Sequence, residues 1–588
     1  DARTSPEHWQ QTLESLSTAL RQAQEFGFGE AEFKRAKSEI LSRLKKEVQV
    51  ADSRESKDLV SKIIHGLNGH QVVLSPEQEL SLFEPFLEKM ALAEVNQIFR
   101  EMWHERRLVK VMGTTELKTE NAEKGTSPEA TILKALHTAE QAEVTAWVQS
   151  KEAIFPYLPI PKKQGKVAEH ISYKDIAAER YVFKNGLVLN LKYTDFEPNE
   201  IRIMATLGHG SLVETKPGLA LLAEMLLPES GVGGLTEEQL KEALAPYSAY
   251  VRFQIEDDSF QLQGKGLKSE SELLFQLLYT NLYDPAFREN AFQRGMKRIR
   301  QTYAQLESSV EGMMHLQGER FLAGGNLRYG AVPLEMLGKI TVADIEQWLR
   351  PVFKESGLEI SVVGDFDQQE ILGLAKVYFG GQARKSFQKV DGEQISFPSG
   401  KSLPLPVITH TEKGMVTVAW PTDDFWDISR TRRLNVLASV LDDRMRKLIR
   451  EELGAAYSPY AYNRPSLVDP GYGVLRSVVV VDPPQAEMVV DKLKQLGSEL
   501  AKDKITADEL ERALEPTLTS IRDMVRTNRY WLESVLVQSS RHPERLEWPK
   551  TIQGDIAAIT VDEISALAAK YLQPEKAAEV ILLPANKE

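Results

Sequence analysis

Few residues in this chain have types and spacing that could do chemistry. Arg450 and Tyr457 stand at i and i+7 around Glu451 and Glu452. A guanidinium and a phenol are both strong donors, suited to a substrate carbonyl and to the oxyanion that forms when water attacks it. The plainer reading of the same pair is a surface ion pair for Arg450 and an ordinary strand aromatic for Tyr457. The ten histidines contain neither H-x-x-E-H nor H-E-x-x-H. The nearest approach is His65-Gly66-Leu67-Asn68-Gly69-His70. Its i, i+5 spacing, two glycines and lack of an acid read as a helix C-terminus stopped by Gly69, not as a metal site.

Three other motifs have bland readings. Gly400-Lys401-Ser402 resembles the tail of a phosphate loop, but Ile395 stands where the first glycine is required and prolines surround it, so it reads as linker. Gly231-Val232-Gly233-Gly234 lacks a preceding strand and the dinucleotide spacing, and reads as a flexible turn. Arg444, Arg446, Lys447 and Arg450 make a basic stripe, which in a chain of net charge -13 reads as a solvated helix face or a cavity wall rather than a nucleic-acid contact.

The elements that would position these residues repeat along the chain. Ala91 to Val95 opens an amphipathic helix ending near Trp103, followed by a strand at Leu108 to Met112. The same order returns from Thr341 to the strand Leu358 to Val363, and from Thr560 to the strand Ala578 to Leu583. Thr341 with Asp344, and Thr560 with Glu563, have the spacing of capping boxes. A second repeat, residues 27–40, matches residues 504–517, with a looser copy at 284–299. The middle copy reads as a hairpin about Asn185-Gly186, a strand Ile201 to Leu207, a helix from Gly218, two alternating strands, then helices. The last copy reads Met415 to Trp420, a helix from Ser429 to Glu452, strands near Tyr457 to Tyr462 and Gly473 to Val481, then helices. This mixture predicts an α+β fold of repeated units, each a mainly antiparallel sheet with helices on one face. The first copy predicts helices from Trp9 to Trp103 with a single strand, which cannot satisfy its own backbone. Its missing strands are expected upstream of Asp1 in a longer chain, or on a partner. Proline-rich stretches at 155–163 and 385–406 mark boundaries.

With 588 residues the chain exceeds one core, so several domains are expected. The absence of cysteine excludes disulfides and thiolate metal sites. The acidic balance argues against nucleic acid, and the longest apolar stretch, Gly218 to Leu227, is too short for a membrane span and is broken by Glu224. The chain opens on Asp1 with Thr4, Glu7 and His8 where a signal segment would stand, which reads as a cut or processed end.

On these motifs the chain resembles the pitrilysin/insulinase-type zinc metallopeptidases, the inverted zincins, which include the mitochondrial processing peptidase and non-catalytic relatives. The resemblance implies four homologous α+β units in two halves closing around a chamber. It implies that residues 1–118 are the later part of the second unit, 119–170 the linker between halves, 171–385 the third unit and 386–588 the fourth. The family's zinc helix corresponds to Gly218 to Leu227, where Leu221 and Met225 replace both histidines and only Glu224 survives. That copy is expected to hold no metal. Arg450 and Tyr457 match the family's R-E-x5-Y pattern, which implies that they point toward the zinc of the opposite half.

The implied function is the C-terminal portion of a two-half zinc endopeptidase acting on peptides or unfolded polypeptide. A zinc-bearing first unit elsewhere would supply metal and base, and this chain would bind no zinc itself. The alternative is a non-catalytic, regulatory subunit that assembles with a separate zinc-bearing partner. Family analogy places it in the periplasm, otherwise the cytoplasm.

Overall fold

The computed structural model describes residues 2, 4, 7–103, 127–147, 153–409, 411–448 and 459–585. The chain divides into two compact units, Asp1–Phe155 with Lys241–Ser248, and Pro156–Leu240 with Ala249–Glu588.

The first unit contains α1 (Trp9–Phe26), α2 (Glu30–Gln49), α3 (Ser56–Asn68), α4 (Pro76–Lys89), α5 (Leu92–Trp103) and α6 (Pro128–Gln141). The first five follow the expected helices to within about two residues at each end. Local chemistry starts them: Ser75 accepts the Gln78 amide while the Gln78 side chain takes the Ser75 amide, with Pro76 at the first helical position. Trp9 and Leu13 of α1 pack on Ala135 of α6. The strand expected at Leu108 to Met112 lies outside the described residues. At the end of α3 the stop differs in detail. Gly69 has φ −87°, and the left-handed residue is His70 at φ 52°. Gly66 is the glycine the site needs, because a Cβ there would meet Val73 Cγ2 at 2.5 Å.

The second unit holds two sheets. The first runs β1 (Val167–Tyr173), β2 (Ala178–Phe183), β3 (Val188–Tyr193), β7 (Leu358–Gly364), β4 (Glu200–Leu207), β6 (Phe260–Leu267), β5 (Tyr250–Ile255). The second runs β10 (Tyr460–Pro465), β11 (Gly473–Val481), β9 (Gly414–Thr422), β12 (Ala578–Ala585), β8 (Ser402–Ile408). All pairs are antiparallel except β3 with β7 and β8 with β12. The fold is therefore α+β, as expected. Two strands escaped the sequence reading. β1 lies in the expected inter-half linker; its burial alternates weakly because it is an edge. β8 lies in the proline-rich boundary: Pro404 and Pro406 are tolerated because β8 is the outermost strand, where missing amides break no inner ladder.

Helices cover one face of each sheet. On the first lie α7 (Leu219–Ser230), α8 (Ser271–Tyr283), α9 (Glu289–Glu307), α10 (Val342–Glu355) and α11 (Gln368–Tyr378). On the second lie α12 (Ile428–Lys447), α13 (Ala486–Lys502), α14 (Ala507–Met524) and α15 (Val561–Tyr571). The capping boxes at Thr341/Asp344 and Thr560/Glu563 form as the sequence predicts, and Thr506/Glu509 adds a third. Trp420 is fully buried against α13, where Gly497 leaves room: a Cβ would meet its ring at 2.7 Å.

The opposite faces are covered by exchange between the two halves of this unit. The chain beyond α9 makes a π-helical turn at Met314–Gly318, and Val310, Leu322 and Ala323 pack with Val474, Val478 and Val580 of the second sheet. The chain beyond α14 makes a π-helical turn at Trp531–Leu536, and Leu532, Val535 and Leu536 pack with Ala178, Met204 and Val363 of the first. Polar contacts fix both crossings. Arg180 donates to Asn190 at 2.7 Å and to Ser539 at 2.6 Å. Arg476, only 2% exposed, pairs bidentately with Glu319. Such buried pairs stay only when both partners are present, because either charge alone would be stranded.

Candidate functional site

Helix α7 carries the degenerate motif. Its inward face, Leu219, Leu222, Ala223 and Leu226, is fully buried, which fixes where the remaining residues stand. Leu221 is 38% exposed and lines a cavity of about 460 Å³ with Arg298, Tyr303 and His315. Met225, one turn on, lies against α9, where Gly295 is essential: a Cβ there would sit 1.6 Å from the Met225 Sδ. Glu224 turns the other way. Its Oε1 accepts the Ile255 amide of β5 at 2.5 Å, and burial raises its carboxyl above the ordinary value. The surviving glutamate is thus tied to a strand end. The residues present do not fit zinc, because an aliphatic side chain and a thioether stand where imidazoles are needed. Among the described residues no group of three or more histidines and carboxylates is placed to hold a metal.

The α7 start is a second charged feature. Glu214 accepts the amides of Gly218 at 3.3 Å and Ala220 at 2.5 Å, so a carboxylate answers the helix N-terminus. Burial raises its pKa while those amides lower it, and the raise prevails.

Arg450 and Tyr457 lie outside the described residues. The helix leading to them, α12, ends at Lys447. The basic stripe on it is answered locally: Arg444 donates to both oxygens of Glu509 at 2.7 and 3.2 Å, Arg446 pairs with Asp442 and Lys447 with Asp443. The Arg444 guanidinium holds Glu509 down at about 2 against the opposing pull of its burial. The strand after the pair, β10, presents Tyr460 and Tyr462 as a parallel stack with ring centres 6.0 Å apart. The Gly231 to Gly234 turn, expected to be flexible, is braced instead: Tyr157 takes the Gly234 amide at 2.9 Å and donates to Asp284 at 2.6 Å.

One feature missed by sequence reasoning is a cavity of about 670 Å³ at the seam between the two sheets of the second unit. Its walls include Asp258, Phe387, Trp426, Asp469, Arg541 and His542. These come from segments nearly 300 positions apart, with no local motif in any of them, so only the exchange of helical tails brings them together.

Residues 339–516 match the family model described as the peptidase M16 inactive domain. The chain is 21% identical over 635 residues to the chloroplastic stromal processing peptidase of Oryza sativa subsp. indica, covering 92% of this chain and 50% of that protein. It is 18% identical over 528 residues to a probable zinc protease, PqqL, of Haemophilus influenzae, covering 87% and 55%. The chain spans about half the length of the curated relatives it matches. Among solved structures it matches the ferredoxin protease FusC in complex with Arabidopsis ferredoxin, with TM-score 0.68, 16% identity and coverage of 98% of this chain and 63% of that one. It also matches the periplasmic protease PqqL of Escherichia coli, with TM-score 0.63, 18% identity and the same coverages. No described helix is long and apolar enough to cross a membrane. Residues 339–516 thus match a domain of the inactive kind found in M16 peptidases, and the chain as a whole is similar to pitrilysin-type peptidases and shares their fold.

Proposed function

We propose that this chain is the C-terminal portion of a two-half zinc endopeptidase acting on peptides or unfolded polypeptide. The zinc, its ligands and the base come from a first unit outside the chain; residues 1–118 correspond to the later part of the second unit, 119–170 to the linker between halves, 171–385 to the third unit and 386–588 to the fourth. The observation that carries the reading is α7: a helix with zinc-motif spacing whose metal positions are Leu221 and Met225, in a chain half as long as relatives named as proteases. Arg450 and Tyr457 serve as donors to the substrate carbonyl and its oxyanion.

The test is reconstitution. The chain alone is expected to hold no stoichiometric zinc and to cleave nothing, and to support chelator-sensitive cleavage when joined to its zinc-bearing half. Arg450→Ala or Tyr457→Phe in that assembly should lower kcat by about 10²–10³ with zinc content unchanged. One tightly held zinc per isolated chain, with peptide cleavage, would sink the proposal. The match to an inactive domain favours a second reading, a regulatory subunit of a separate zinc-bearing partner; under it both substitutions leave turnover intact and weaken assembly. The periplasmic relative suggests that compartment, which fractionation of cells would decide.

A further inference from the structure

The two tails that cross the seam each bring an arginine to the tip of a hairpin in the other sheet. After the first π-helical turn, Arg328 reaches Asp469, between β10 and β11. Its guanidinium pairs with Asp469 Oδ1, the Tyr329 hydroxyl donates to Oδ2 at 2.6 Å, and the Glu393 amide donates to the same carboxylate at 2.8 Å. After the second π-helical turn, Arg541 reaches Asp258, between β5 and β6, and there the pairing is incomplete. Arg541 Nη1 donates to the backbone carbonyl of Asp258 at 3.0 Å, while the Asp258 carboxylate takes the Gln538 side-chain amide at 2.8 Å. Gln538 does this from a left-handed backbone, φ 56°, which a non-glycine residue adopts at a cost. Nε and Nη2 of Arg541 are buried and have no acceptor among the described residues. The Phe387 ring covers the guanidinium, 3.7 Å from its carbon to the ring centre.

We propose that the 670 Å³ cavity beside Arg541 binds a small ligand bearing a carboxylate or phosphate oxyanion, received by the Arg541 guanidinium once the Phe387 ring moves aside. A guanidinium presents a planar fork matched to both oxyanions, and buried N–H groups without acceptors are rare enough in folded proteins to need a cause. In the equivalent corner the chain supplies the oxyanion itself, as Asp469; at Arg541 it diverts the carboxylate to Gln538. The other acids of the wall are already engaged: Asp469 as above, Asp424 by the amides of Trp426 at 3.2 Å and Gly471 at 2.7 Å, Asp391 by Lys389 at 2.7 Å, and Glu544 beside His542 Nδ1 at 3.5 Å. They hold their own donors and leave Arg541 to the ligand. Burial without a full counter-ion pulls the Arg541 pKa below its ordinary value. Burial and the neighbouring arginine charges likewise depress His209 and His542, so both face the cavity as neutral rings at pH 7. Trp426 stacks on His542 with ring centres 3.9 Å apart, a flat wall for the body of the ligand.

Isothermal titration of the full chain with inorganic phosphate, and separately with acetate, tests the site. Saturable one-to-one binding by either probe is expected, and which probe binds, or displaces the other, identifies the oxyanion. Arg541→Gln should weaken binding at least tenfold. Phe387→Ala should tighten it severalfold, since no ring must then be displaced; this variant retains Arg541 and serves as the test if Arg541→Gln fails to fold. Absence of saturable binding by both probes, or unchanged affinity in Phe387→Ala, overturns the proposal.

Discussion

The same helix occurs bare in one region and covered in another. Helix α5 and helix α15 come from the same repeat, with Ala91 in place of Thr560, Ile98 in place of Leu567 and Met102 in place of Tyr571. In α15, Ile564 and Ala568 are fully buried and Tyr571 is 6% exposed, all within one core with Trp420 and Leu437. In α5 the matching Val95 and Phe99 are half-buried, with the Phe99 ring 4.9 Å from that of Phe28, while Ile98 is 55% and Met102 73% exposed. The third copy, α10, sides with α15: Ile345 and Leu349 are fully buried. Helix α3 shares the condition of α5, with Val60, Ile63, Ile64 and Leu67 all exposed. An amphipathic period states that a face is built to be buried, and does not state what buries it. Two copies bury theirs against a sheet of their own, and among the described residues of the first unit there is none. The exposed Ile98 and Met102 are the physical ground for expecting a cover that the described residues of this unit do not supply.

The most direct way to break this comparison is to truncate a fully buried position of one helix and the most exposed apolar positions of the other. Ile564→Ala should cost about 2–5 kcal/mol, a buried aliphatic loss with a cavity left behind. Ile98→Ala and Met102→Ala in the same isolated chain should change stability by no more than about 0.5 kcal/mol, as exposed substitutions do. Denaturant titration of the three variants decides it. Equal losses would mean that α5 is covered after all. In the reconstituted assembly, Met102→Ala should become costly, in proportion to the apolar area that the added half buries.

A second prediction concerns the covered side, where burial also takes in a charge. Lys192 lies beneath the tail that covers the first sheet. Its Nζ donates to the Ile176 carbonyl at 2.5 Å and stands 4.0 Å from the centre of the Trp531 ring. Burial lowers its pKa to about 8. An unfolded chain holds this proton up to about pH 10.4. Between the two values the unfolded state binds more protons, so this residue's penalty is fully present below pH 8 and is relieved as pH rises toward 10. The relief is on the order of 2 kcal/mol. Lys192→Met removes it, so wild-type stability relative to the variant should climb from pH 7 to pH 10. Parallel pH profiles would show that the tail does not bury Lys192.

What was legible in the sequence follows the range of the interactions. The caps at Thr341 and Thr560, the Asn185-Gly186 hairpin and the helices from Trp9 to Trp103 are set by contacts within a few positions, and the sequence states them directly. The degenerate motif on α7 was legible for the same reason, since i and i+4 share a helix face. Strand β8 was not, because its partner, β12, lies about 170 positions away and its prolines argue for a linker until its edge position is known. The stop of α3 turned on His70 rather than Gly69 because only the backbone angles reveal which residue turns left-handed. The seam cavity was illegible altogether. Arg328 and Arg541 look alike in sequence, and what separates them is whether a carboxylate from the other sheet arrives.

The smallest expected effect sharpens the comparison at the first residue of the repeat. In α15 the Thr560 hydroxyl accepts the Glu563 amide at 3.3 Å and the Glu563 carboxylate accepts the Thr560 amide at 2.8 Å. In α5 only half of this box exists: Glu94 accepts the Ala91 amide at 3.2 Å, and alanine has nothing to return. Thr560→Ala should therefore cost about 1 kcal/mol, and Ala91→Thr should add somewhat less, since α5 is exposed and frays more readily. Amide hydrogen exchange in the first turns of the two helices reads the difference locally. A slowing of exchange at Glu94 in Ala91→Thr, with no change at Glu563, would show that α5 keeps the helix start of its covered relatives and lacks only their sheet. Unchanged exchange at Glu94 would mean that the start of α5 is set by something other than its cap.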